Sequence, residues 1–331
     1  MVISKILLIR LRELGDTILV SPLLRQLKRI YPSVKVDVLC QKNNQSLLTH
    51  SRHVDKTIVF PRGASASHFL KTAAQLRKQK YDLIIDAQGL PKTAMLSRLI
   101  GGKQRVGFYN RGWRNRICYT NPVARPVGEY HAKANLRLIP DSRVDLSDTS
   151  LECEVGEDAK DSATQFARKY FVSPVAAIFG VDRYSYRCWP AGKTAVIADR
   201  LAELGFQPWL VYGPGQEQDS QRIASLMKRE SLWFYEMPSF ATLAALFRHC
   251  RVCVGNDGGP MHAARAAGIP TVTVYNYEFA MSWAPVFDQK HRVVCTQGPP
   301  VIGSNVMITD STSLEDIQVD EVWKAVGQVL Y

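Results

Sequence analysis

The chain has 331 residues, 46% hydrophobic and 22% charged, a length that calls for two cores and a composition ordinary for a globular protein. No run of about 18 apolar residues occurs, which excludes a membrane-spanning helix. The formal net charge of +12 is uneven: residues 1–150 hold 26 Lys/Arg against 10 Asp/Glu, and residues 151–331 hold 16 against 20. The first half is therefore expected to meet something anionic, with nucleic acid, an acidic membrane surface and a phosphorylated acceptor all open.

The N-terminus runs straight into a strand, Ile6–Arg10, so no secretory signal is expected. The continuous apolar run Ile6-Leu-Leu-Ile9 is of the kind covered on both faces. Beyond it, Gly15-Asp16 precedes a long apolar helix, Thr17–Tyr31. Asp16 reads equally as a helix cap and as a functional carboxylate. Pro22 strains the cap reading, because it would fall inside the helix, and Ser21-Pro22 itself reads as a cap plus first helical residue.

Further strands are expected at Val34–Cys40, Lys56–Phe60, Tyr81–Ala87 and Arg105–Phe108, with helices at Ser67–Lys80 and Pro91–Ile100. The second half offers strands at Val175–Gly180, Pro208–Tyr212, Arg251–Gly255 and Thr271–Tyr275. Its helices are expected at Ala191–Leu204, Gln216–Lys228, Phe240–His249 and Pro260–Ala267. Such alternation predicts two doubly wound α/β domains, 1–155 and 156–331, with the last helix a candidate to pack back on the first. Ligands in such sheets sit beyond the carboxyl ends of the strands, and Asp16, Gly180 and Asp257 all follow strands at such ends.

Three further stretches carry chemistry. Asn256-Asp257-Gly258-Gly259-Pro260 ends a strand and opens a helix, whose free amides suit a phosphate, with His262 in the first turn. A glycine turn alone would explain Gly258-Gly259, but not Asp257 and His262 beside them. The loop Phe179–Pro190 sets Arg183 and Arg187 where a diphosphate could be held, although loop arginines are more often solvated. Glu217 follows a strand end and could accept ribose hydroxyls. The seven scattered cysteines fit a reducing cytosol, and Cys250-Arg-Val-Cys253 reads as structural because no second pair completes a zinc site.

Together these stretches resemble glycosyltransferase family 9, the ADP-heptose:lipopolysaccharide heptosyltransferases. The resemblance is carried by Arg10…Leu14-Gly-Asp16…Ser21–Lys28, Tyr81–Asp86, Arg105–Phe108, Arg187-Cys-Trp-Pro190 and Val254–His262. It implies a GT-B architecture, two Rossmann-like domains facing across a cleft, the first for the acceptor and the second for ADP-heptose. By the same resemblance Asp16 is the general base and Arg187 contacts the donor phosphates. Glu217 is placed at the ribose, while Asp257, Gly258, Gly259 and His262 hold the diphosphate and sugar. Members often carry Lys at Arg187 and Thr or Ser at Gly258, which leaves the exact donor sugar open.

The implied reaction is inverting heptose transfer to the lipopolysaccharide core. No cofactor is expected, and Arg187 with the helix start at Gly259 would stand in for a metal. The expected partners are a nucleotide-sugar donor, an anionic core acceptor and the cytoplasmic face of the inner membrane, bound peripherally. Arg111, Arg114 and Arg116, with Tyr109 and Tyr119 nearby, read as an acceptor or anion surface or as a solvated basic loop. The alternatives are a family member using another nucleotide sugar, a non-catalytic sugar-nucleotide sensor, and a nucleic-acid binder. The last has no recognisable motif here, so nucleic acid is not expected as a partner.

Overall fold

The computed structural model describes residues 3–109, 113–231 and 239–331, with backbone alone at 113 and 114. The chain divides into two compact units, Met1–Gly156 and Glu157–Tyr331.

The first unit holds β1 (Lys5–Ile9), β2 (Lys35–Cys40), β3 (Lys56–Val59), β4 (Leu83–Asp86), β5 (Gln104–Tyr109) and β6 (Asn121–Ala124). They form one parallel sheet in the order β3-β2-β1-β4-β5-β6. The apolar run of β1 serves two cores. Ile6 and Leu8 pack with Val36, Val38, Leu83 and Ile85 on one face. Leu7 and Ile9 join Leu39 and Ile84 on the other, as the period-two alternation of a strand requires. The helix expected over Thr17–Tyr31 is two helices, Leu14–Ile18 and Ser21–Ile30. The break between them resolves the conflict posed by Pro22, which falls in the first turn of the second helix, where its missing N–H costs nothing. Ser21 lies inside that helix rather than capping it, and its hydroxyl accepts the Glu152 amide at 2.9 Å.

The second unit holds β7 (Val175–Phe179), β8 (Gln207–Leu210), β9 (Cys250–Asn256), β10 (Thr271–Tyr275), β11 (His291–Cys295) and β12 (Val306–Ile308). Its parallel sheet has the order β12-β11-β10-β9-β7-β8. The terminal helix Val319–Leu330 buries Val322, Ala325 and Val326 in this unit's own core. Cys250 and Cys253 are buried free thiols at the start and middle of β9, and burial pushes the Cys253 thiol up to about 12, so both serve packing.

Both sheets are doubly wound, and each has one point where the winding reverses: between β1 and β4 in the first, between β7 and β9 in the second. Crevices open at such points beyond the strands' carboxyl ends.

Candidate active site

In the first unit the reversal point gathers charge. Arg10, directly after β1, is buried; its Nη1 donates to the Ala87 carbonyl after β4 at 2.7 Å, and its Nη2 pairs with the Asp16 carboxylate. The Gln88 side-chain oxygen accepts the amides of Leu11 and Arg12 at 3.1 and 2.9 Å, stitching the two loops together. Asp86 is fully buried at the end of β4 and accepts the amides of Gln88 and Gly89, both at 3.0 Å, and the Tyr119 hydroxyl at 2.8 Å. Asp86 is thus held by three donors, while Arg10 Nε is buried without a hydrogen-bond partner among the described residues.

Asp16 lies in the first turn of Leu14–Ile18, where the N-cap position belongs to Glu13 and no side chain caps the helix. The cap reading of Asp16 is therefore replaced by an ion pair. Burial pushes the carboxyl above its ordinary value, with Arg10 pulling it back and Glu13 adding to the rise. Glu13 itself holds φ +56° with ψ 133°, a conformation that costs a non-glycine residue energy and that clusters at functional sites. Arg125, from the end of β6, stacks its guanidinium 4.2 Å over the Phe108 ring, and burial followed by the nearby Arg10 lowers its pKa. His131 approaches Arg125 at 3.5 Å, and burial with the two arginines pulls its pKa down to about 4, so it is neutral at pH 7. A carboxylate with a raised pKa, flanked by fixed cations, can accept a proton from a bound hydroxyl and can hold an acidic group beside it.

In the second unit the loops after β7 and β9 meet. The Asn256 side chain accepts the Trp189 amide at 2.9 Å, joining the end of one loop to the start of the other. At Gly255 a Cβ would lie 2.0 Å from the Phe179 carbonyl oxygen, and at Gly258 it would lie 2.7 Å from the Phe179 ring. Only glycine permits that approach of β7 to β9. The helix Gly259–Ala266 starts one residue beyond Gly258, its N-cap, so its first amides open at the reversal point. Asp257 is buried and accepts the Tyr275 hydroxyl at 3.0 Å; burial raises its pKa, while Arg265, Tyr275 and then Arg187 oppose the rise.

Arg187 belongs to this group. Its guanidinium lies 5.4 Å from the Tyr184 ring, 5.7 Å from Tyr186 and 5.1 Å from Phe279, a cage that holds the charge in place. His262 is buried in the same helix's first turns. Arg183 is exposed, and Glu217 is exposed at the first residue of Glu217–Leu226, beyond β8. The structure thus brings together Arg187, Asp257, Gly258, Gly259 and His262, while Arg183 follows β7 and Glu217 follows β8, both exposed.

Arg111 lies outside the described residues and Arg114 is described by its backbone only, while Arg116 is exposed with its guanidinium 5.7 Å from the Tyr109 ring. Among the described residues no three His, Cys, Asp or Glu side chains gather as a metal-holding group, and no helix is long and apolar enough to cross a membrane. Sequence reading used Arg10 and Asp86 only as positions of the resemblance and gave no role to them or to Gln88, Arg125, His131 or Arg265.

The chain is 23% identical over 291 residues to lipopolysaccharide heptosyltransferase 3 of Escherichia coli, covering 82% of this chain and 83% of that one. Its fold is similar to a family 9 glycosyltransferase from Veillonella parvula, with TM-score 0.87, 21% identity and coverage of 99% and 97%. It is also similar to the E. coli ADP-heptose LPS heptosyltransferase II, with TM-score 0.78, 22% identity and coverage of 99% and 98%. A more distant fold neighbour, the E. coli glycosyltransferase TibC, is described as iron-containing, with TM-score 0.58, 12% identity and coverage of 99% and 76%. The family model for glycosyltransferase family 9 (heptosyltransferase) matches residues 69–301, more than two thirds of the chain. With two parallel six-stranded sheets of the GT-B class and a match of that extent, this chain is a glycosyltransferase and belongs to glycosyltransferase family 9, the heptosyltransferases.

Proposed function

We propose that the chain moves a heptosyl group from ADP-heptose to a sugar hydroxyl of the lipopolysaccharide inner core, with inversion and without a metal. The observation that carries the reading is Asp16, a carboxylate at the reversal point of the first sheet that caps no helix and is oriented by a buried arginine. Family membership supplies the reaction class, and the relatives named for lipopolysaccharide and ADP-heptose supply the substrates. Asp16 takes the acceptor proton as the hydroxyl bonds to the anomeric carbon. Arg187, with Arg183 and the amides at Gly258 and Gly259, stabilises the departing diphosphate. Glu217 accepts the ribose hydroxyls, and Asp257 and His262 hold the sugar and diphosphate. The first unit is the acceptor side, and Arg111, Arg114 and Arg116 form its anion surface, which brings the protein peripherally to the cytoplasmic face of the inner membrane.

The test is nucleotide release from a panel of sugar nucleotides in the presence of isolated core acceptor, run with and without chelator. Release from ADP-heptose that depends on acceptor and ignores the chelator supports the reading; loss of turnover on chelation, restored by iron, overturns the metal-free part. A second reading, transfer from another nucleotide sugar, is favoured by one observation. At Gly258 the place of a hydroxyl-bearing side chain is filled by the Phe179 ring. Turnover of a different donor at the higher kcat/KM would establish it.

A further inference from the structure

Behind the loop at Asp257 lies a polar cluster organised by one arginine. Arg265 is 4% exposed. It lies three residues after His262 on the same helix, so the two side chains share a face. Facing it are Thr271, Thr273 and Tyr275, alternate residues of β10 that point to one side of the sheet. The guanidinium spends its donors on these groups. Nη2 donates to the Thr273 hydroxyl at 2.9 Å and to the Tyr275 hydroxyl at 3.4 Å. Nη1 reaches the Trp283 carbonyl at 3.2 Å and His262 Nδ1 at 3.4 Å, and Nε meets the Thr271 hydroxyl at 3.5 Å.

Two consequences follow from hydrogen-bond direction. Arginine has no acceptor, so the contact to His262 Nδ1 requires that nitrogen to be the acceptor, which leaves Nε2 as the N–H nitrogen of a neutral ring. The Tyr275 hydroxyl accepts from Arg265 and donates its own O–H to Asp257 Oδ1 at 3.0 Å, so the chain runs one way, from guanidinium to hydroxyl to carboxylate. A buried guanidinium is expensive to desolvate, and an apolar side chain would fill the same space. What the charge adds here is a fixed polarity imposed on two groups of the donor site.

We propose that Arg265 is a positioning residue of the donor site, fixing His262 as the Nε2–H tautomer and, through the Tyr275 hydroxyl, holding Asp257 ready as a hydrogen-bond acceptor. The inference rests on the reading of Asp257 and His262 as donor-binding groups. Arg265 touches no substrate itself and acts through those two side chains. It deepens the site by explaining how a buried histidine and a buried aspartate at one loop keep opposite roles, one donating and one accepting.

The test joins a measurement that needs no substrate to one that does. In the protein labelled with 15N-histidine, the His262 ring, assigned by its loss in His262→Gln, is expected to show Nδ1 unprotonated and Nε2 protonated. Arg265→Met should mix the tautomers and weaken ADP binding by about tenfold or more, the worth of a charged hydrogen bond, raising donor KM while acceptor KM stays put. Tyr275→Phe should leave the tautomer intact and still weaken ADP, because it cuts only the branch to Asp257. Arg265→Lys should recover part of the affinity. A wild-type ring protonated on Nδ1, or an Arg265→Met protein with unaltered tautomer, overturns the proposal. So does unaltered ADP affinity in Arg265→Met when His262→Ala weakens ADP. If His262→Ala and Asp257→Asn both leave ADP affinity alone, the donor-site reading falls and takes the positioning role with it. Should Arg265→Met not fold, the wild-type tautomer and Tyr275→Phe still decide.

Discussion

Replacing Asp16 by Asn removes one charge and little volume, and the structure says what that does. The ion pair with Arg10 is nearly dry, with side-chain exposures of 8% for Arg10 and 15% for Asp16. Breaking a buried pair by removing one partner costs 3–5 kcal/mol in general; here burial outweighs Arg10 at the carboxyl, so the ionised form is itself held at a cost, Asn can still accept from the guanidinium and Arg10 keeps Ala87, and about 1 kcal/mol or less is expected. For a unit of this size that is a fall in Tm of at most roughly 2–4 °C. Turnover should fall further than stability can explain, by about a hundredfold to ten-thousandfold, with ADP-heptose affinity near normal. Because the Asp16 carboxyl is held above its ordinary value, the folded protein binds the proton more readily than the unfolded chain. Stability from this group therefore declines as pH rises from the ordinary carboxylate range through the raised value, while activity climbs as the base ionises. Asp16→Asn should flatten both limbs. Thermal unfolding, donor affinity and transfer rate across pH on one preparation decide the matter, and a variant that keeps most of its turnover refutes the base assignment.

Arg187→Ala should weaken ADP binding and slow transfer on the order of a hundredfold, whereas Arg187→Lys keeps the charge but loses stacking in the aromatic cage and should fall between; unchanged kinetics in both would remove the residue from the site. Gly258→Ser drives a Cβ to within 2.7 Å of the Phe179 ring and should cost roughly 1–3 kcal/mol, relieved when Phe179→Leu is added; denaturant titration of the double-mutant cycle measures the coupling. Glu13→Gly should stabilise the fold by about 1 kcal/mol by releasing the φ +56° conformation, and a lower unfolding midpoint would contradict that strain. Charge reversal at Arg111, Arg114 and Arg116 should reduce salt-sensitive binding to anionic vesicles while sparing transfer to a soluble acceptor; indifference of vesicle binding would leave these arginines merely solvated.

The doubly wound fold was legible because its central strands are buried on both faces and so read as unbroken apolar runs, such as Leu7-Leu8-Ile9 and Val175–Phe179. Some strands escaped: His291–Cys295, buried but opening on a histidine and an arginine, and two that are half exposed. Asn121–Ala124 contains Pro122 and is half exposed, as edge strands are, and Val306–Ile308 is three residues long and half exposed. At the site, the loop Asn256–His262 was visible because glycines, a carboxylate and a helix start coincide in seven residues. Arg125 and His131 were not, since they come near Arg10 through β6, whose pairing beside β5 no local pattern announces. Arg265 left a trace that could have been read: a single arginine among alanines in a short helix, three residues after a histidine, is out of place unless its charge is used.

The two units put the same pair of residue types, an arginine behind a carboxylate, at the same point of their sheets, and the difference in linkage fits the different work assigned to each. Arg10 meets Asp16 directly, so the charge that orients the carboxylate also opposes its protonation, while burial favours it. The balance between those two effects sets how readily Asp16 takes a proton and gives it up, which a base must do in every cycle. Arg265 is linked to Asp257 by hydrogen bonds through the Tyr275 hydroxyl, which spends one lone pair of Oδ1 and leaves the rest of the carboxylate to accept from a ligand. A direct pair there would have consumed the acceptor capacity that the proposed contact to sugar hydroxyls requires. Inserting the hydroxyl therefore turns a charge-tuning contact into a positioning one, and it explains why Tyr275 is the largest fully buried side chain in a strand that otherwise carries threonine and valine.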